Sequence, residues 1–389
     1  MRIVIDGGTW DNARGYGRFT RELVGAIGRI NHRHDIVLLL PRTVPSVEVA
    51  SGVRVSILPA RESPSVAARA DGHRSFRDLW MVRHAIARES PDVVFFPTVY
   101  TFVPVAAGPR VAIGIHDVTF DRFPTLIFPE ARYRLLWRLK VRLAVRQAAR
   151  IVAVSAHARD GIIERLGVDP AIIRIVSEAP AAGFRRVDDP GVRAAARRRV
   201  GIPAASPLFI YVGGMAPHKN LSMLIEVFTA TVRTARFADA KLLLVGDYED
   251  RVFHSEYPSL RARVEADGAN AITFTGRLPD SVIASLLSDA TALVLPSFDE
   301  GFGLPGIEAA ACGTAVVATR SSALPEVLGD TALYFDPHSP GELRDALERL
   351  LDDPGLSRSL GARALACATA LSWDNSARAA VDLFEELAS

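Results

Sequence analysis

Cysteine is nearly absent: Cys312 and Cys367 are the only two in 389 residues. Two such residues make no disulfide framework and match no zinc-ligand spacing, so they fit small buried positions on helices in a reducing compartment. Long apolar runs are missing too. No stretch approaches the roughly 20 residues a membrane-spanning helix needs. Met1 leads straight into RIVIDGG, a strand and turn with no apolar leader region, so a cytoplasmic location is expected. Charge of one sign is absent overall, since 46 Lys and Arg against 44 Asp and Glu leave a net +2. That balance gives no global bias toward nucleic acid, and any basic surface must be local. No close internal repeat is visible.

What is present is a large apolar fraction, 49%, which excludes a disordered chain. The length exceeds what one core usually serves, so two domains are expected. In the first half, short β-rich runs alternate with helical stretches: 2–6, 35–40, 53–58, 92–96, 111–115, 151–154 and 172–176. From Gly183 to Pro207 the chain turns polar and arginine-rich, which reads as a crossing with a short helix. A second set of runs follows at 208–212, 241–245, 272–274, 292–295, 315–318 and 332–335. Alternation of this kind predicts two α/β units, each a doubly wound parallel sheet.

The most informative stretch is SFDEGFGLPGIEAAACGT, from Ser297 to Thr314. It follows the apolar run Ala292–Leu295, which suits a buried parallel strand. Gly301, Gly303 and Gly306 let the backbone approach a ligand, and Pro305 suits the first turn of a helix beginning near Leu304. The free N–H groups of that helix form a ready diphosphate site at the carboxyl end of a strand. Glu300 and Glu308 flank it. Carboxylates beside phosphate are unfavourable unless they accept hydrogen bonds from neutral hydroxyls, so sugar and ribose are their natural partners. A glycine-rich loop and a helix with an acidic first turn are each common alone, but here loop, spacing and strand agree.

Two glutamates separated by seven residues around GFGLP resemble the signature of family 4 of the retaining GT-B glycosyltransferases. The resemblance covers nearly the whole chain and is strongest from Phe209 to Asp336. It implies GT-B architecture, with two Rossmann-like domains facing across a cleft. It also implies that Glu300 meets the donor sugar and Glu308 the ribose. By the same resemblance His116, after the strand VAIGI, touches the donor sugar near the reacting carbon, although a histidine at a strand end is more often structural. Ser155 matches a further position. Lys219, in GGMAPHKN, corresponds to the lysine that neutralises the diphosphate, and Asn220 is placed to cap the following helix. The family's arginine five residues earlier is replaced by Gly214, with His218 or Arg18 as candidate substitutes. Arg277 and Leu278, in Gly276-Arg-Leu-Pro-Asp280, correspond to a segment that meets the nucleobase, while Leu278 could equally be core. Gly246-Asp-Tyr-Glu-Asp250 follows another strand end.

Gly15 and Gly17, in Arg14-Gly-Tyr-Gly-Arg18, form a loop before an amphipathic helix. Such a loop can cradle phosphate or sugar, and the resemblance has it close over the donor phosphates; a plain surface loop is the alternative. Between His116 and Ser155, Arg134, Arg138, Arg142, Arg146 and Arg150 recur at every fourth place, with no acidic residue from 131 to 151. Like charges at that spacing cost helix stability, which points to an anionic lipid surface or a phosphate-bearing acceptor. A solvated or distantly paired ladder is the plainer reading. Leu135, Leu136, Leu139, Val141, Leu143 and Val145 are expected to supply the apolar face. Ser372-Trp373 opens a terminal helix in which Trp373 packs rather than binds.

The expectation is an N-terminal acceptor-side domain, 1–185 with 373–389 crossing back, and a nucleotide-sugar domain, 186–372. The implied activity is sugar transfer, with retention, from a nucleoside-diphosphate sugar to a glycan or polyprenyl-linked acceptor in polysaccharide biosynthesis. The character of IHDVTFDRFP and APHKN tilts the donor toward GDP-mannose or a related deoxysugar. No cofactor and no metal are expected, because no DxD pair stands at a strand end and a cation already faces the phosphates. Peripheral membrane contact through the arginine ladder is expected, and no nucleic acid. A nucleotide-sugar epimerase and a silent sugar-nucleotide-binding protein are the alternatives.

Overall fold

The computed structural model describes residues 1–12, 15–30, 32–42, 44, 49–58, 76–128, 130–248, 255–267 and 270–389. Arg14 and residues 249–250 of the Gly246 loop lie outside the described residues. The chain divides into Met1–Glu178 with Ser372–Ser389, and Ala179–Leu371.

In the first unit, β1 (Arg2–Asp6), β2 (Asp35–Pro41), β3 (Val53–Leu58), β4 (Val93–Phe96), β5 (Arg110–Gly114), β6 (Arg150–Ala153) and β7 (Ile173–Ile175) form a sheet. Its order is β3-β2-β1-β4-β5-β6-β7, and every neighbouring pair is parallel. Strands buried on both faces need unbroken apolar side chains, and Ile3, Val4, Ile5, Val93, Val94, Phe95 and Phe96 are all buried. Helices α1 (Gly15–Arg29), α2 (Phe76–Arg88), α3 (Ala131–Gln147) and α4 (Ala156–Leu166) make the crossovers. The strand order reverses between β1 and β4, which opens a switch point at their carboxyl ends.

The second unit repeats the plan with β8 (Leu208–Val212), β9 (Lys241–Val245), β10 (Ile272–Gly276), β11 (Ala292–Leu295), β12 (Val316–Thr319) and β13 (Leu333–Phe335). Their parallel order is β10-β9-β8-β11-β12-β13, with the switch point between β8 and β11. Helices α5 (Pro190–Arg199), α6 (Leu221–Val232), α7 (Tyr257–Ala266), α8 (Asp280–Leu287), α9 (Leu304–Ala311), α10 (Leu324–Leu328), α11 (Pro340–Asp352) and α12 (Pro354–Ala368) surround it. The division falls at Glu178/Ala179 and not at 185/186. The arginine-rich stretch beyond it is built into the second unit. Asp189 caps α5 through the N–H groups of Gly191 and Val192, and the Val187 N–H reaches Ser288. Buried Arg197 bonds Asp289 and the carbonyls of Pro203 and Ser206.

The last helix, α13 (Trp373–Ala388), belongs to the first unit and lies on α1. Ser372 caps it by accepting from Asp374 and Asn375. Trp373 is buried edge-on to Phe19, with ring centroids 5.9 Å apart, so it packs. Arg29 with Asp374 (3.2 Å) and His34 with Glu385 (2.7 Å) border the contact. Cys312 is buried at the end of α9 and Cys367 is half-buried on α12, both as free thiols. Burial pushes the Cys312 thiol up to about 12, with the Glu308 charge adding to the shift and a Ser288 hydrogen bond opposing it.

Candidate sugar-nucleotide site

In the second unit, the residues after β8 and β11 meet because those strands flank the switch point. Lys219 lies on a 3-10 turn, Pro217–Lys219, and its Nζ is 2.7 Å from Glu300 Oε1. Ser297 Oγ donates to the same oxygen at 2.6 Å. The Lys219 and Glu300 side chains are 20% and 17% exposed. The Phe298 N–H bonds His218 O at 2.9 Å, which ties the two loops together. A lysine so placed is neutralised by a carboxylate until an anion competes for it. Sequence reasoning put Lys219 on phosphate and Glu300 on sugar without bringing them together. Ser297 was missed as their third member.

Asn220 does not cap α6 with its side chain. It sits at φ 54°, a left-handed conformation, and its Nδ2 donates to Pro337 O at 2.9 Å, which pins the turn to the loop after β13. At Gly214, where the family carries arginine, the backbone carbonyl accepts from Tyr211 Oη at 2.6 Å. His218 lies on the same turn as Lys219, and Arg18 lies on α1 in the first unit.

Gly303, at φ 86°, is the N-cap of α9, so the helix starts at Leu304 as read. A side chain at Gly303 or Gly306 would meet Leu324 at 2.6 or 2.7 Å. These glycines therefore also let α10 lie against the loop, and Gly306 serves packing. Glu308, one turn into α9, is only 4% exposed. Arg277, exposed after β10, pairs with Asp247 Oδ2 at 2.7 Å. Leu278 beside it is half-buried and not core.

In the first unit, His116 follows β5 and is buried. Its Nε2 donates to Pro97 O at 2.8 Å, and burial lowers its pKa to about 4 against that bond. The neutral ring thus presents a bare Nδ1, 3.6 Å from Glu178 Oε1. Phe19 and Tyr16 meet the ring edge-on, at 4.5 and 5.6 Å between centroids. Tyr16 Oη donates to Tyr100 Oη at 3.1 Å, joining the segments after β1 and β4 at this unit's switch point. Glu178 was missed. It lies three residues beyond β7, on the same carboxyl edge as His116, and that placement is the signal that could have found it.

Gly15 and Gly17 form the first turn of α1 and not a loop before it. A side chain at Gly17 would meet Asn12 O at 1.9 Å, so this glycine lets α1 start tight beneath the β1 turn. Ser155 caps α4 by accepting from the Ala158 N–H at 2.9 Å, a structural task. Arg134, Arg138, Arg142 and Arg146 lie on α3, whereas Arg150 begins β6 and pairs with Glu386 at 3.5 Å. Arg134 donates to Phe128 O. The leucines do not form a buried face: Leu135, Leu136, Leu139 and Leu143 are exposed, and only Val141 and Ala144 of α3 are buried.

The family model Glycosyltransferase Family 4 matches residues 13–178, and Glycosyl transferases group 1 matches residues 206–353. The D-inositol 3-phosphate glycosyltransferase of Acidothermus cellulolyticus is 29% identical over 296 residues, which cover 75% of this chain and 62% of that protein. The serotype-specific mannosyltransferase WbdA of Escherichia coli is 24% identical over 411 residues, covering 100% of this chain and 48% of WbdA. The chain thus spans about half to three-fifths of the length of these relatives. The fold is also that of the sucrose-phosphate synthase of Thermosynechococcus elongatus, with a TM-score of 0.78 at 20% identity over 100% of this chain and 99% of the other. With two matched family domains in sequence and a Rossmann-like sheet under each, the chain belongs to family 4 of the GT-B glycosyltransferases.

Proposed function

We propose that this protein transfers a sugar from a nucleoside-diphosphate sugar to a glycan or polyprenyl-linked acceptor, with retention and without a metal. The observation that carries the reading is the Lys219, Glu300 and Ser297 cluster at the switch point of the second unit. Lys219 releases Glu300 when the diphosphate arrives, and the freed carboxylate accepts from a donor-sugar hydroxyl. The Gly306 N–H closes back onto Gly303 O at 2.8 Å, so the phosphate would meet the N–H groups of Gly303 and Leu304. Glu308 takes the ribose hydroxyls, and Arg277 and Leu278 border the base. His116, neutral at physiological pH, offers Nδ1 as an acceptor to a sugar hydroxyl. Gly15 and Gly17 keep a donor-side role only through the helix start they allow.

In the proposed step the sugar C1–O bond to the diphosphate breaks while the acceptor oxygen bonds C1 on the same face. The acceptor proton passes to the leaving phosphate oxygen, and Lys219 with the α9 N-terminus holds the charge that develops there. The likeness to WbdA supports mannose as the sugar and accords with GDP-mannose, whereas the inositol phosphate relative leaves other donors open. Gly214 in place of a cation is the specific observation that favours a binding protein without turnover. Purified protein mixed with each nucleotide sugar, alone and with candidate acceptors, separates the readings by product NMR. Transfer gives an acceptor-dependent product of the donor's anomeric configuration; an epimerised nucleotide sugar or binding with no product overturns it.

A further inference from the structure

We infer that the outer face of α3 is a docking surface for an anionic phospholipid bilayer. At 100° per residue, Arg132, Leu135, Leu136, Leu139, Arg142, Leu143 and Arg146 share one side of the helix, with Arg138 at its margin. The leucines are 69%, 50%, 53% and 42% exposed in sequence order. Single exposed leucines are ordinary, but four adjacent ones on one helix are a patch that needs a partner. The opposite side is anchored: the Trp137 ring packs at a tilt against Phe120 and Tyr100, with centroids 4.8 and 5.2 Å away, and Lys140 donates to Tyr100 O. The leucine face is therefore turned out by packing and is not a helix waiting to close.

Charge selects the occupant. Arg138, Arg142 and Arg146 are exposed; the charge of Arg138 acts on Asp121 beneath the helix margin, Arg142 and Arg146 form no salt bridge among the described residues, and α3 has no acidic residue. Like charges four apart repel, so the face costs helix stability until an anion meets it. A second copy would set the arginine row against itself in a two-fold contact. A nucleic-acid backbone would leave the leucines against phosphate. A bilayer with anionic headgroups satisfies both: the leucines enter the headgroup and acyl boundary, and the guanidinium groups fork onto phosphate oxygens. Tyr100, under α3, also touches Tyr16 beside His116, so docking would bring the first unit's candidate residues toward a lipid-linked acceptor. The docking itself stands whether or not sugar transfer does.

The test is co-sedimentation of the full chain with vesicles of phosphatidylglycerol and phosphatidylcholine in equal parts, and with phosphatidylcholine alone, at low and high salt. Wild type is expected to bind the anionic vesicles, more weakly as salt rises, and not the neutral ones. With each contact contributing on the order of fivefold, Arg138→Gln, Arg142→Gln and Arg146→Gln together weaken binding by about a hundredfold. Leu135→Ser, Leu139→Ser and Leu143→Ser together remove the part of binding that resists salt. Circular dichroism and melting curves matching wild type show that both variants fold. Failure of wild type to sediment at low salt overturns the inference. So does undiminished binding by the leucine variant, or a dimer in solution that the leucine changes dissolve.

Discussion

Replacing Glu300 by Gln separates its bond to Lys219 from its proposed bond to sugar. In the free protein Oε1 takes charge-assisted bonds from Lys219 at 2.7 Å and Ser297 at 2.6 Å. The amide oxygen of Gln still accepts from either, so only the charge-assisted share is lost, about 1 kcal/mol of stability. For a unit of this size that lowers Tm by about 2–4 °C. The ammonium of Lys219, no longer neutralised, should bind free nucleoside diphosphate as tightly as before or up to about tenfold tighter. Transfer should move the other way. Losing a charged acceptor to a sugar hydroxyl, about 1.5–3 kcal/mol, lowers kcat/KM roughly 10- to 150-fold. Calorimetry with the nucleoside diphosphate and steady-state kinetics with the sugar nucleotide read the two effects. If nucleoside diphosphate binding falls while transfer stays normal, Glu300 serves the nucleotide and the assignment of the two glutamates is reversed.

Lys219→Ala should cost nucleoside diphosphate affinity about 1.5–3 kcal/mol while the fold persists, since Ser297 still holds Glu300; unchanged affinity by calorimetry removes the lysine from the site. Asn220→Ala should be less stable than Asn220→Gly in urea melts, because both lose the bond to Pro337 O but alanine keeps a left-handed φ that costs it about 1–2 kcal/mol. His116 is held neutral, its pKa lowered from 6.5 to about 4, so the unfolded chain takes up a proton there before the folded one does. Its contribution is complete above pH 6.5 and falls away as pH drops to about 4, by on the order of 3 kcal/mol. Wild type should lose more stability across that window than His116→Asn, and equal losses contradict the buried neutral ring.

The strands were legible because parallel strands covered on both faces must be short unbroken apolar runs. Ala292–Leu295, stopped by Pro296, is such a run, and so is Leu208–Val212 before Gly213-Gly214. The start of α9 was legible for a related reason, since Gly-Leu-Pro fixes a left-handed cap and a first turn together. The contacts between loops were not. Lys219 and Glu300 are 81 residues apart and meet only because β8 and β11 are neighbours. Glu178 lay in no motif, and His116, 3.6 Å from it, comes from another strand end. The leucines of α3 read as core because apolar residues usually are, while the inner side was taken by Trp137, Val141 and Ala144. Gly15 and Gly17 read as a loop because glycine weakens helices, but Gly17 is required by the closeness of the β1 turn.

The central claim, a sugar-nucleotide site built on Lys219, Glu300 and Glu308, is tested most directly by thermal unfolding against a panel of nucleoside diphosphates. One base should stabilise wild type, by about 2.7 kcal/mol at a hundred times its dissociation constant, and should stabilise a Lys219→Ala, Glu308→Gln double variant far less. A chain stabilised by none of them, or a double variant stabilised as much as wild type, contradicts the account.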